Sequence, residues 1–467
     1  MNVLRGVATA VAAAVVLRPE IALAHASDRG FVLLLPTGYY VAGGAAAVAA
    51  SFIALAFLPA GFAERYRSAR IALPRLPKSL RIWTSLGGLL VAAILITAGF
   101  WGSRDPLSNP LPLTVWTLMW IALTLFQGLI GDLWRWINPL YAPSRLAAAL
   151  NGRPEGFLEL PKDMGWWPAI ILFLAFAWFE LVYPAPDDPY RLANAALVYF
   201  LLNLVACGTF GFDQWSRRGE CLGAFWTLIA RFAPIGREEQ GRMTLSLPGA
   251  RLADGEALPA SGALFLLLAL ASVSFDGLSR TFFWLAANGY NPLEFPGRTA
   301  LIPTNTTGLV SAFLLLSAAF LLCVAAGERL AGHKRLFPPA GLLVWSIVPI
   351  ALAYHLAHYL TSFLVNGQYA LVALSDPFSL GWNLFGTATM QVTPGVVMGA
   401  ESAWVLWNLQ AGAIIVGHVL AVLAAHTIAQ KMHASNEAAA VSQIPLTMLM
   451  IGYTVLGLWL LSTPTAA

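Results

Sequence analysis

Residues 340–365 read AGLLVWSIVPIALAYHLAHYLTSFLV. No Asp, Glu, Lys or Arg interrupts this run, and ~20 apolar residues in a helix already cross the hydrocarbon core of a bilayer. The stretch therefore reads as a membrane-spanning helix. Within it, His355 and His358 stand three residues apart. Ionisable groups at bilayer depth are costly and are usually retained for a function, and histidine is the commonest protein metal ligand.

The rest of the chain agrees with a membrane environment. Of its 467 residues, 58% are hydrophobic and 11% charged, with a mean hydropathy of +0.70; a soluble domain carries about 25% charged residues. The net charge of +4 follows membrane topology, so the expected partners are the lipid bilayer and a small lipophilic molecule, with no nucleic acid; no sequence feature identifies a partner subunit. Cys207, Cys221 and Cys323 lack paired spacing and read as inert thiols. Residues 1–24 read as a signal peptide: Arg5 supplies the positive start, a short apolar stretch follows, and Ala22-Leu23-Ala24 is a small-x-small cleavage site. Arg18 and Glu20 close to that site leave an uncleaved anchor open.

Ten apolar runs of spanning length fall near 41–62, 83–102, 112–131, 166–183, 193–211, 263–285, 308–326, 340–365, 404–428 and 446–462. Helices are the natural spans, because lipid cannot satisfy an open backbone. With the mature N-terminus outside, the inner loops 63–82, 132–165, 212–262, 327–339 and 429–445 hold 20 of the 27 Lys and Arg residues, and the outer segments hold 4. This bias predicts an inner (plasma) membrane protein of a bacterial cell, with the mature N-terminus on the periplasmic side. In the long inner loop 212–262, Phe225–Ala233 is expected along the membrane surface and Met243–Glu256 as a small hairpin. The apolar outer loop 366–403 reads either as a lid over a cavity or as a packed interfacial loop. No Gly-rich phosphate loop, Gly-x-Ser-x-Gly, His-Glu-x-x-His or internal repeat is present.

Only Glu180, Asp276 and Arg280 of the charged classes lie well inside the spans. At a helix rise of ~1.5 Å per residue, Glu180, Asp276, His355 and His358 share one layer ~20–27 Å above the inner face. His418 comes within reach of that layer if its helix tilts or starts late; His426, ~12 Å further along, does not. His355 and His358 at i and i+3, with carboxylates from Asp276 and Glu180, form a mixed nitrogen and oxygen set suited to zinc or another first-row divalent metal. Such a metal polarises a phosphoryl or carbonyl oxygen and lowers the pKa of a bound water. Plainer readings stand beside this one. Asp276 and Arg280 at i, i+4 form an ion pair, Glu180 snorkels to the interface, His418 and His426 bond to carbonyls, and His333 and His433 are solvated loop residues. His25 has a potential metal role if it becomes the mature N-terminus. A haem is disfavoured, because spacings of 3 and 8 do not match bis-histidine helices.

Several stretches resemble a family of bacterial polytopic membrane proteins: Ser274-Phe275-Asp276-Gly277-Leu278, Tyr354-His355-Leu356-Ala357-His358-Tyr359, Gly367-Gln368, Ser375-Asp376-Pro377-Phe378, Gly381-Trp382-Asn383-Leu384-Phe385-Gly386 and Val416-Gly417-His418-Val419. Some members of that family are labelled fenitrothion hydrolase, a membrane-bound organophosphate hydrolase. Members often begin the mature chain with His-Gly-Phe-Gly, where this chain has His25-Ala26-Ser27-Asp28. The resemblance implies hydrolysis of a lipophilic phosphotriester.

The expectation is an all-α polytopic protein of about ten spans acting as a metal-dependent hydrolase of lipophilic esters. His355, His358 and Asp276 would be ligands, His418 a ligand or proton shuttle, and Glu180 the general base. Two alternatives stay open: a transporter using the same layer as a proton relay, and a membrane subunit or assembly factor that binds metal.

Overall fold

A computed structural model describes residues 37–57, 60–74, 77–153, 156–237, 242–397 and 399–465. The expected signal peptide and His25 lie outside the described residues. Among those described, ten helices are long and apolar enough to cross a membrane. They are α1 (Thr37–Ala56), α2 (Ser79–Trp101), α3 (Pro110–Leu129), α4 (Lys162–Leu181), α5 (Pro189–Phe210), α6 (Ala260–Ser279), α7 (Arg298–Leu330), α8 (Pro339–Ser375), α9 (Glu401–Met432) and α10 (Ile444–Ser462). They match the ten apolar runs one for one, so the chain is an all-α polytopic protein.

Two ends overrun the apolar runs. Helix α7 begins ten residues before 308 and α8 continues ten residues past 365. Polar residues end the hydropathy signal there without ending the helix, because their side chains bond back to it. Thr306 and Thr307 donate to the carbonyls of Ile302 and Pro303 at 2.6 and 3.0 Å, and Gln368 donates to that of Leu364 at 2.8 Å. The expected outer loop 366–403 is therefore cut to 376–400, by ten residues at the end of α8 and three at the start of α9.

The helices differ sharply in burial, and this positions the site. In α6 and α8, 83% and 89% of the apolar window is buried inside the protein; in α1, α2 and α7 the share is 22%. The first two form the centre and the others face outward. Helix α8 packs against α9 and α3, α6 against α4, α7 and α8, α1 against α9 and α10, and α2 against α5. Within lipid such association rests on close van der Waals packing rather than on release of water, which favours small residues at contacts. At the α8/α9 crossing a Cβ on Gly417 would lie 2.3 Å from the Ala353 Cβ, so glycine sets the spacing there. Phe173, Trp226, Phe265 and Trp345 fill the main core.

The segment between α5 and α6 corrects two expectations. A short helix, Cys221–Ile229, buries Cys221, Ala224, Phe225, Trp226, Leu228 and Ile229 instead of lying on the membrane surface. Its apolar side chains join the main core, and the Trp226 indole N–H donates to Thr124 Oγ1 at 3.0 Å. The expected hairpin over 243–256 is also absent. Only β3 (Met243–Ser246) is a strand, and it pairs antiparallel with β1 (Arg70–Ala72) on one side and β2 (Ile235–Arg237) on the other. Partners from two other stretches satisfy both edges of β3, which leaves 247–256 free to turn.

Candidate functional site

Helix α6 ends with Asp276 on its buried side, at 1% exposure. Helix α8 brings His358 and Tyr359 to the same point. The Nε2–H of His358 donates to Asp276 Oδ2 at 2.7 Å, and the Tyr359 hydroxyl reaches the same oxygen at 2.8 Å. The other carboxylate oxygen, Oδ1, lies 3.1 Å from an Arg280 guanidinium nitrogen. That contact is an ion pair without an aligned hydrogen bond. The expected i, i+4 pairing of Asp276 and Arg280 is thus present, and it occupies the oxygen that His358 and Tyr359 leave. A carboxylate buried this deeply needs such partners, since an uncompensated charge there costs several kcal/mol.

Tyr359 extends the set to α4, its hydroxyl lying 3.2 Å from Glu180 Oε1. One hydroxyl carries one proton, so both of its contacts become hydrogen bonds only when Glu180 supplies a proton of its own. The groups therefore form a string: Glu180, Tyr359, Asp276, His358. Arg298, at the start of α7, closes one end by donating to the backbone carbonyls of Glu180 at 2.8 Å and Tyr183 at 3.3 Å. At the other end the His358 side chain is 25% exposed, and with Nε2 committed to Asp276 its Nδ1 is left out of the string.

His355 turns elsewhere. Its Nε2–H donates to the Trp120 carbonyl at 2.7 Å, from a ring that is almost wholly buried. Residues Leu113–Leu123 of α3 are π-helical, a winding common at functional positions, and the Trp120 carbonyl lies within it. The i, i+3 spacing of the two histidines allows both to face one point, but α3 captures one of them. His418 is also held apart: its Nδ1–H donates to the Ile414 carbonyl of its own helix at 2.8 Å. Its Nε2 is buried without a hydrogen bond beside the rings of Tyr354 and Tyr453. Tyr453 touches the Ser274 hydroxyl, two residues from Asp276.

The expected ligand set of His355, His358, Asp276 and His418 is not assembled in this arrangement, with His355 and His418 bonded elsewhere. Among the described residues no three His, Cys, Asp or Glu side chains converge on a point. Asp276 Oδ2 already accepts from His358 and Tyr359, and the guanidinium beside Oδ1 opposes a second cation.

The remaining histidines divide in two ways. His426 lies between the side-chain amide nitrogens of Gln430 and Gln443, at 3.1 and 3.2 Å from its Nε2 and Nδ1, and not against a carbonyl as expected; a neutral ring accepts from one of the two. His333 is exposed, as a loop residue should be. His433 is not solvated as its loop position predicts. It is buried, lies 3.2 Å from Glu328 Oε1 near the end of α7 and stacks on His333.

Sequence reading missed Tyr359, Trp120 and Arg298. Tyr359 adjoins His358, and a phenol at that depth needs a hydrogen-bond partner; that signal was available. A backbone carbonyl such as that of Trp120 carries no residue signature. Comparison of the chain with protein-family models, with curated proteins and with solved structures finds no match.

Proposed function

We propose that this integral membrane protein is a proton-coupled transporter whose proton-handling group is the Glu180–Tyr359–Asp276–His358 string. The observation that carries this reading is the shared oxygen: Asp276 Oδ2 accepts from both His358 at 2.7 Å and Tyr359 at 2.8 Å. A proton received by one end of such a string is passed by reversing donors and acceptors along it, without moving a helix. Intramembrane Asp, Glu and His groups mark such relays. Arg280 keeps charge balance at Asp276 as His358 gains or loses its proton, and its half-exposed side chain connects the pair to the protein surface. Purified protein in liposomes with an internal pH indicator tests this: an imposed pH gradient should drive flux that falls at least tenfold in Asp276→Asn and His358→Gln. Flux equal in all three proteins would overturn it.

A second reading, ester hydrolysis, draws support from the partly exposed His358, whose Nε2 is committed to Asp276 and whose Nδ1 is not. An imidazole fixed through one nitrogen by a carboxylate is arranged as a general base at the other. In a hydrolase, His358 would take the proton of a water attacking a lipophilic phosphotriester and Asp276 would hold the imidazolium. Turnover of an aryl phosphorothioate ester by the wild type, lost in His358→Gln, would favour this reading over transport. No metal has a part in either reading.

A further inference from the structure

A cavity of about 710 Å³ opens between the 331–338 turn and the end of α9. Leu342, which lines it, precedes His358 by 16 residues of α8, ~24 Å at the helix rise, and the cavity lies on the face whose loops hold 20 of the 27 Lys and Arg residues. Its volume falls within the ~300–1,000 Å³ usual for ligand pockets.

The charges around it are not balanced. Asp254 is already matched by Lys431 and Arg70, and the lining carboxylate of Glu328 lies beside His433, 3.2 Å from Oε1 to Nε2. Lys334 and Arg335 line the same cavity, are exposed, and have no hydrogen bond or ion pair among the described residues. His433 adds a directed group. Its side chain is 2% exposed, it lines the cavity, and its Nδ1 is buried with no hydrogen-bond partner. Buried polar atoms are normally satisfied, and an orphan calls for an explanation. Its Nε2, 3.2 Å from Glu328 Oε1, also lacks an aligned hydrogen bond, so the ring has a nitrogen free to donate to a bound acceptor.

We propose that this cavity binds a phosphate-bearing anion, with Arg335 and Lys334 engaging the phosphate oxygens and His433 donating from beneath. A guanidinium matches two phosphate oxygens at once, and an ammonium adds a point charge. Two sources share this chemistry: the headgroup of an anionic phospholipid in the adjacent leaflet, which basic pockets between spans recognise, and a soluble phosphate compound. The proposal is independent of the transport reading.

The test uses the full chain, delipidated in detergent. Phosphatidylglycerol with phosphatidylcholine as competitor is followed by native mass spectrometry, and inorganic pyrophosphate by the shift in unfolding temperature. The double variant Lys334→Gln/Arg335→Gln and the single variant His433→Asn are compared with Arg329→Gln, an exposed charge on the same face that does not line the cavity. Preferential retention of phosphatidylglycerol, weakened at least tenfold in the double variant and at least threefold in His433→Asn but not in Arg329→Gln, supports the site with a lipid ligand. The same pattern with pyrophosphate alone supports it with a soluble ligand. Binding of neither probe, or equal binding by the double variant and Arg329→Gln, overturns it. The two Gln substitutions are at exposed positions, so the double variant should fold even if His433→Asn does not.

Discussion

Asp276 on α6 and His358 on α8 are joined by a 2.7 Å hydrogen bond from Nε2–H to Oδ2, and these two helices are the most deeply enclosed of the ten. Three groups on two helices converge on this one carboxylate, so its removal exposes the cost of each. Asp276→Ala leaves His358 Nε2–H and the Tyr359 hydroxyl without their shared acceptor and Arg280 without a counter-charge. Breaking a buried pair costs about 3–5 kcal/mol. The half-exposed Arg280 is screened by solvent, which places the expected loss near the lower end, about 3 kcal/mol. Asp276→Asn keeps one acceptor oxygen and loses about 1–2 kcal/mol. Unfolding followed by tryptophan fluorescence in detergent should rank wild type above Asn and Asn above Ala; an unchanged midpoint for Ala would refute the convergence.

His355 has a different role from its neighbour, and substitution separates them. In His355→Phe the ring volume is kept but the Trp120 carbonyl loses its 2.7 Å donor, with an expected cost of about 1–3 kcal/mol. Proton flux through the Asp276 string should survive, since His355 is not part of it. Metal analysis of the purified wild type and this variant completes the test. Stoichiometric metal in the wild type that disappears in His355→Phe would show the two histidines acting as co-ligands and sink the separation.

Glu220 supplies a pH-dependent prediction outside the spans. Its carboxylate accepts from the backbone N–H groups of Leu222 and Gly223 at 3.0 and 2.7 Å and contacts the Tyr199 hydroxyl. Burial pushes its pKa up, against the lowering effect of those hydrogen bonds. A group whose folded pKa exceeds its unfolded value of ~4.3 adds stability below that value. The contribution is lost as pH rises through the folded pKa. Glu220→Gln cannot ionise, so it should gain stability relative to wild type as pH increases above ~4.3. Unfolding midpoints of both proteins across a pH series measure this. A difference that is flat with pH, or that favours wild type at higher pH, would contradict the burial argument.

The ten spans were legible because lipid imposes a length and an apolar composition on every helix that crosses it, and those two properties are written directly in residues such as 340–365. The layer holding Glu180, Asp276 and His358 was legible for the same reason, since helix rise converts residue number into depth. Which way each side chain points was not. His355 and His358 share a face by spacing, yet the π-helical stretch of α3 draws His355 to a backbone carbonyl, and a carbonyl has no signature in the sequence. The end of α9 repeats the lesson. Loop position suggested a solvated His433, but the helix packing that buries it against Glu328 is a tertiary fact. The short helix at Cys221–Ile229 shows the converse: its apolar content was visible, and whether it met lipid or the protein core depended on Trp120, Phe173 and the other aromatics gathered around it.

Gly457 on α10 offers a final test, of the packing behind His418. A Cβ at this position would lie 2.0 Å from the Tyr354 hydroxyl oxygen, nearer than any real contact. Tyr354 is buried and donates to the Tyr453 carbonyl at 2.8 Å, so it has little room to retreat. Gly457→Ala must then displace either the tyrosine, breaking that bond, or α10 itself. Overpacking of this kind costs about 1–3 kcal/mol, partly offset because Ala favours a helix over Gly by about 1 kcal/mol. The expected outcome is a lower unfolding midpoint for Gly457→Ala, partly recovered in Gly457→Ala/Tyr354→Leu, where the ring carbons at 2.4 and 3.0 Å are removed together with the oxygen. If the double variant is no more stable than the single one, the close approach of α8 and α10 is not what the glycine serves.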